Sequence, residues 1–125
     1  MQSAERTNTV ITWNDRDAVV YPAGNVVAAL VPELRAALRG ALNEGVREMT
    51  LDFSRVEMVD STGLGLLISA HNSMSKAGGK LAVIHASKEI LELFRSMRIH
   101  QHFSVSQAGP EGATQSTTQP ELSAQ

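Results

Sequence analysis

Between Val10 and Val105 the spacing of apolar residues switches repeatedly between two and 3.6, and this constrains the fold more than any other feature of the chain. A strand alternates its side chains between two faces, whereas a helix brings every third or fourth residue to one face. Interleaved periods of both kinds mark an α/β chain. Val10-Ile11-Thr12-Trp13 and Ala18-Val19-Val20-Tyr21 flank the polar stretch Asn14-Asp15-Arg16-Asp17, which predicts an opening antiparallel hairpin. Pro22 and Gly24 stop its second strand. Val27, Leu30, Val31, Leu34, Leu38, Ala41 and Leu42 then recur at helical spacing, with Pro32 in the first turn, where proline is tolerated, and Gly45 closing the helix.

Met49, Leu51 and Phe53 alternate with Thr50 and Asp52 as a further strand. A second helix follows Asp60-Ser61, carries Leu64, Leu67, Ile68, His71 and Met74 on one stripe, and ends at Gly78-Gly79. Leu81-Ala82-Val83-Ile84 reads as a short buried strand. Ser87 caps a third helix bearing Ile90, Leu91, Phe94 and Met97, and Phe103-Ser104-Val105 forms a last short strand. The predicted order is ββαβαβα(β), in which helical crossovers between parallel neighbours give one sheet covered mainly by helices.

At 125 residues the chain suits one domain rather than two. From Ser106 the last twenty residues hold no aromatic, no basic and only one large aliphatic residue, too little apolar surface to offset the entropy of ordering them. Residues 106–125 are therefore expected to form a disordered tail, residues 1–7 a flexible N-terminus, and residues 8–105 the domain. Of thirteen acids two lie in the tail, and eleven basic residues balance the rest, so the folded part is formally neutral and does not repel protein partners.

Composition excludes several functions. Without cysteine there is no disulfide framework, thiolate metal site or cysteine nucleophile, and a reducing, cytoplasmic setting is expected. Charged residues break each apolar stretch before the roughly 18 residues of a membrane span, and MQSAERTNTV lacks the pattern of a signal peptide. Three Lys and eight Arg, scattered, provide no basic face for direct nucleic-acid binding.

The most informative segment is Val59-Asp60-Ser61-Thr62-Gly63-Leu64-Gly65, at a strand-to-helix junction where sites concentrate in open α/β sheets. An ordinary helix cap explains one polar residue here. It does not explain two glycines in the first turns, each costing up to about 1 kcal/mol relative to alanine, so close backbone approach is expected. Helix-end amides would stabilise a phosphate on the serine hydroxyl, while Asp60 would repel it. The segment lacks the lysine of a phosphate-binding G-x-x-x-x-G-K-[ST] loop and is not a G-x-S-x-G nucleophile elbow. His100 and His102 have no acidic partner after them in the folded span, so no metal is expected; His71 reads as a core histidine. Met49, Met58, Met74 and Met97 read as core filler.

The run Leu51-Asp52-Phe53-Ser54, Val56 and Met58-Val59-Asp60-Ser61-Thr62-Gly63-Leu64-Gly65-Leu66-Leu67 strongly resembles the STAS domain of bacterial anti-sigma factor antagonists. Gly24, Pro32-Glu33-Leu34-Arg35, Gly78-Gly79-Lys80-Leu81 and Leu93-Phe94 with Ile99 recur at similar spacing, so the resemblance spans roughly residues 8–105. It implies a single domain with a four- to five-stranded mixed sheet and helices mainly on one face. It also implies a non-enzymatic partner switch in the cytoplasm, with no cofactor. The unphosphorylated protein binds an anti-sigma factor serine kinase and so releases a sigma factor; phosphorylation of Ser61 ends the contact, and a serine phosphatase restores it. Asn25, Asp60, Ser61, Thr62, Gly63 and Leu64 are the residues expected to meet the partner, and a monomer or weak dimer is expected. Val27 departs from the pattern, since many members carry an acid there. The alternative is a STAS scaffold or accessory subunit of a lipid transporter or sensory assembly. Deleting residues 106–125 is expected to shift the free energy of unfolding by less than about 0.5 kcal/mol, measured from the denaturant midpoint.

Overall fold

The computed structural model describes residues 8–99 and 104–107. Strands β1 (Val10–Asn14) and β2 (Asp17–Tyr21) pair antiparallel across the Asp15-Arg16 turn, in which Asp15 takes a left-handed φ of 60°. Helix α1 (Val31–Asn43) leads to β3 (Glu48–Asp52), α2 (Ser61–Lys76) to β4 (Lys80–Ile84), and α3 (Lys88–Ser96) to β5 (Ser104–Val105). Spatial order repeats chain order, β1-β2-β3-β4-β5, with every pair after the hairpin parallel. The expected mixed sheet has five strands, and its last strand is described from Ser104; Phe103, His100 and His102 lie outside the described residues.

Register explains the core. Ala18 pairs with Met49 and Met49 with Leu81; Val20 pairs with Leu51 and Leu51 with Val83. These two rows are buried and join Leu34 and Leu38 of α1, Leu67 and Met74 of α2, and Ile90 and Phe94 of α3 in one apolar cluster. The intervening row, Val19, Thr50 and Ala82, is only half-buried, as alternation on a pleated sheet requires when one face meets the helices. Ser87 caps α3 as expected, its Oγ accepting the Ile90 N–H at 3.1 Å. Ser106 N–H donates to Val83 C=O and its own C=O accepts from Ala86 N–H, so a truncation that tests the tail begins beyond Ser106.

Three expectations need correction. Helix α1 starts at Val31, so Val27 and Leu30 are not on its stripe. They belong to a separate turn in which Leu30 N–H donates to Val27 C=O; Pro32 has no N–H to carry the ladder back to Ala28. Met49 and Met74 do fill the core, but Met58 and Met97 are 56% and 55% exposed, one in the loop before α2 and the other just past the end of α3. His71 is half-buried rather than part of the core.

Gly40 stands in the interior of α1, with no neighbouring atom within 4 Å of where its Cβ would sit. Nothing among the described residues requires glycine there. Gly40→Ala should therefore raise the free energy of unfolding by about 0.5–1 kcal/mol in urea denaturation, and a loss of stability would show that α1 is not a continuous helix at this point.

Candidate functional site

Two loops meet at the carboxyl ends of β2 and β3, and side chains spaced far apart in the chain stitch them together. Val26 and Val59 form an isolated parallel bridge, with Val26 N–H donating to Met58 C=O and Asp60 N–H to Val26 C=O. Asn25 Oδ1 accepts from the N–H groups of Glu57 (2.7 Å) and Met58 (3.1 Å). Asp60, the cap of α2, divides its carboxylate: Oδ1 accepts the Gly63 N–H at 2.8 Å and Oδ2 accepts the Ala28 N–H at 3.0 Å. One residue thus caps its own helix and ties down the turn before α1.

These bonds, that from Gly63 first and that from Ala28 next, hold the Asp60 carboxyl below its usual value of 3.8. A depressed folded-state value means that the contribution is complete at neutral pH. It is lost as pH falls from about that value through the folded one. The carboxylate is thus turned toward backbone amides and held in its charged form.

Ser61 is the first residue of α2 and is exposed, as is Thr62. Gly63 and Leu64, expected to meet a partner, are instead buried. A Cβ on Gly63 would stand 2.1 Å from Val26 C=O, so this glycine lets α2 press against the Val26 strand, while Leu64 enters the core. Gly65 differs. It is exposed, one helical turn from Ser61 and on the same side, and a Cβ there would meet none of the described residues within 4 Å. The two glycines anticipated to allow close approach thus serve different neighbours: Gly63 admits the protein's own backbone, and Gly65 leaves space outside it.

Asn25 is half-buried and spends its side-chain oxygen on the loop. Beside it Ala23, Gly24, Val27, Ala29 and Leu30 line a mainly apolar cleft of about 270 Å³. Exposed Met58 enlarges the apolar surface of these loops, a contribution that its assignment to the core concealed. A second polar cluster, which the sequence did not single out, lies at the ends of β3 and β4. Asp52 is buried, accepts the Ser54 N–H at 2.9 Å through Oδ1, and meets His85 Nδ1 at 3.0 Å through Oδ2. Burial pushes its carboxyl up, but the N–H and hydroxyl of Ser54 and the His85 ring outweigh burial and bring it below 3.8. Among the described residues no three His, Asp or Glu side chains converge as metal ligands.

The family model described as "Mlab, STAS domain" matches residues 9–106. The chain belongs to the STAS domain family. An anti-sigma-B factor antagonist of Bacillus subtilis is 28% identical over 108 residues, 86% of this chain and 97% of that protein. The fold is shared with an anti-sigma factor antagonist from Mycobacterium paratuberculosis, with a TM-score of 0.74, 20% identity, and coverage of 86% of this chain and 92% of that one. It is also shared with the Bacillus cell fate determinant SpoIIAA in its phosphorylated form, with a TM-score of 0.66, 18% identity, and coverage of 86% and 96%. No helix among the described residues is long and apolar enough to cross a membrane.

The contrast within the STAS motif yields a direct test. Gly63→Ala should cost about 2 kcal/mol or more in urea denaturation, because backbone must move to admit the methyl group, whereas Gly65→Ala should be neutral or stabilising. Equal losses would show that both glycines serve internal packing.

Proposed function

We propose that this protein is an anti-sigma factor antagonist working as a phosphorylation-controlled partner switch. In its unphosphorylated form it binds an anti-sigma factor serine kinase over the surface around Ser61 and so releases a sigma factor. Phosphorylation of Ser61 by that kinase ends the contact, and a serine phosphatase acting on phospho-Ser61 restores it. The protein is itself no enzyme and uses no cofactor; its setting is the cytoplasm, as a monomer or weak dimer.

The observation that carries this reading is the exposed strip formed by Ser61 and Gly65, with open space over the glycine and the serine hydroxyl at the helix start. A partner's backbone can lie across Gly65 and bring Ser61 into a closed, largely dry contact. The surroundings suit that contact: Met58 is exposed, Val27 and Leu30 line a mainly apolar cleft, and Asp60 is committed to internal amides. A phosphate bringing about −1.5 to −2 charge into such a contact would disrupt it through desolvation and repulsion. The names of the relatives support the same reading, and SpoIIAA has a phosphorylated form. At Val27 the kinase would meet an apolar side chain where many family members offer an acid, so recognition there rests on packing.

Titration calorimetry of the wild type, Ser61→Ala and Ser61→Asp with the anti-sigma factor kinase of the same cell tests the switch. Ser61→Ala should bind at least as tightly as the wild type and take up no phosphate from ATP, whereas Ser61→Asp should bind about tenfold more weakly for each ~1.4 kcal/mol of repulsion. Three equal affinities would reduce Ser61 to a helix-start residue and give precedence to the scaffold reading.

A further inference from the structure

The outward face of α1 combines two choices that local physics disfavours. Arg35 and Arg39 stand one turn apart, a spacing at which like charges destabilise a helix, and neither makes an ion pair or hydrogen bond among the described residues. Between them and Asn43 the helix carries Ala36 and Gly40, and the glycine serves no packing among the described residues. Together these residues line a cleft of about 530 Å³. The same two arginines border a second, narrower cleft between α1 and α2, where Ser69 and Ser73 add hydroxyl groups. A cationic pair beside a notch of small side chains is costly in the isolated chain and useful when something anionic is laid across it.

We propose that this face of α1 is a second docking surface, for a short acidic segment of a partner protein, separate from the Ser61 strip. Two guanidinium groups each present a planar fork that matches a carboxylate, and the Ala36/Gly40 notch lets the backbone of the segment approach the helix. Glu33 in the first turn and Glu44 at the far end flank the arginines. These acids limit the attractive stretch to a few carboxylates and oppose a long polyanion such as nucleic acid, which needs an extended basic face. The proposal does not rest on the Ser61 switch, and either can fail alone.

The test is a titration of the full chain with end-capped hexaglutamate, followed by backbone amide chemical shifts. Shifts should centre on Arg35, Ala36, Arg39, Gly40 and Asn43. Arg35→Glu combined with Arg39→Glu should weaken binding about tenfold or more. Gly40→Leu keeps both charges and fills the notch, and should weaken it about fivefold, a loss equivalent to ~1 kcal/mol. Both variants alter exposed positions, and circular dichroism checks that they fold. Ser61→Asp should bind hexaglutamate as the wild type does, which separates this surface from the switch. Four outcomes would overturn the proposal: no shifts at millimolar peptide, shifts spread over all cationic residues, wild-type binding by Gly40→Leu, or tighter binding of a single-stranded oligonucleotide of equal charge.

Discussion

The carboxylate of Asp60 is the point on which the two loops depend. By accepting from Gly63 and from Ala28 it fixes the start of α2 and, 32 residues earlier, the turn that precedes α1. The Val26–Val59 bridge and the Asn25 side chain keep the same loops in register, so the first turn of α2 is held from three directions. Such bracing supports the docking role proposed for this surface. A contact area that is already ordered costs less entropy to bind, and a charge placed on it cannot be accommodated by letting the loop drift away.

Glycine placement makes the same point in steric terms. Gly63 brings two pieces of the protein's own backbone together, and Gly65 leaves a gap on the outside. The fold accepts the conformational cost of both, but only the first is repaid within the chain. Gly40 repeats the second pattern on α1, beside two arginines that have no counterpart among the described residues. Where a chain carries a locally unfavourable residue with nothing inside to require it, the reason is to be sought in what lies against that surface.

The fold was legible because periodicity reports burial directly. The rows Ala18, Met49, Leu81 and Val20, Leu51, Val83 stand at alternating positions, and the helical stripes repeat every third or fourth residue. Periodicity and structure part where apolar spacing and backbone chemistry diverge. Val27 and Leu30 fit the helical period, but proline at position 32 interrupts the hydrogen-bond ladder. Met58 has a core residue's character and a loop residue's exposure. Within the motif, residue types identified the helix start and Ser61 but could not separate Gly63 and Leu64, which face inward, from Thr62 and Gly65, which face out. The Asp52–His85 pair left no signal at all. Its members are 33 residues apart, alternation assigns Asp52 to solvent, and no glycine marks the left-handed φ of 58° at His85.

Strand order has a consequence for how the domain comes into being. Because each strand pairs with the one made just before it, no strand has to wait for a partner still to be synthesised beyond its immediate successor. The hairpin can close by itself, and every later helix and strand adds to an edge already present, so the sheet can grow in the direction of translation. Connections stay between nearest neighbours, so each addition closes only the loop formed by one helical crossover. The last strand adds only two residues to that growing edge, Ser104 and Val105, and there the β4 edge acquires its cover only when nearly all of the domain has been made.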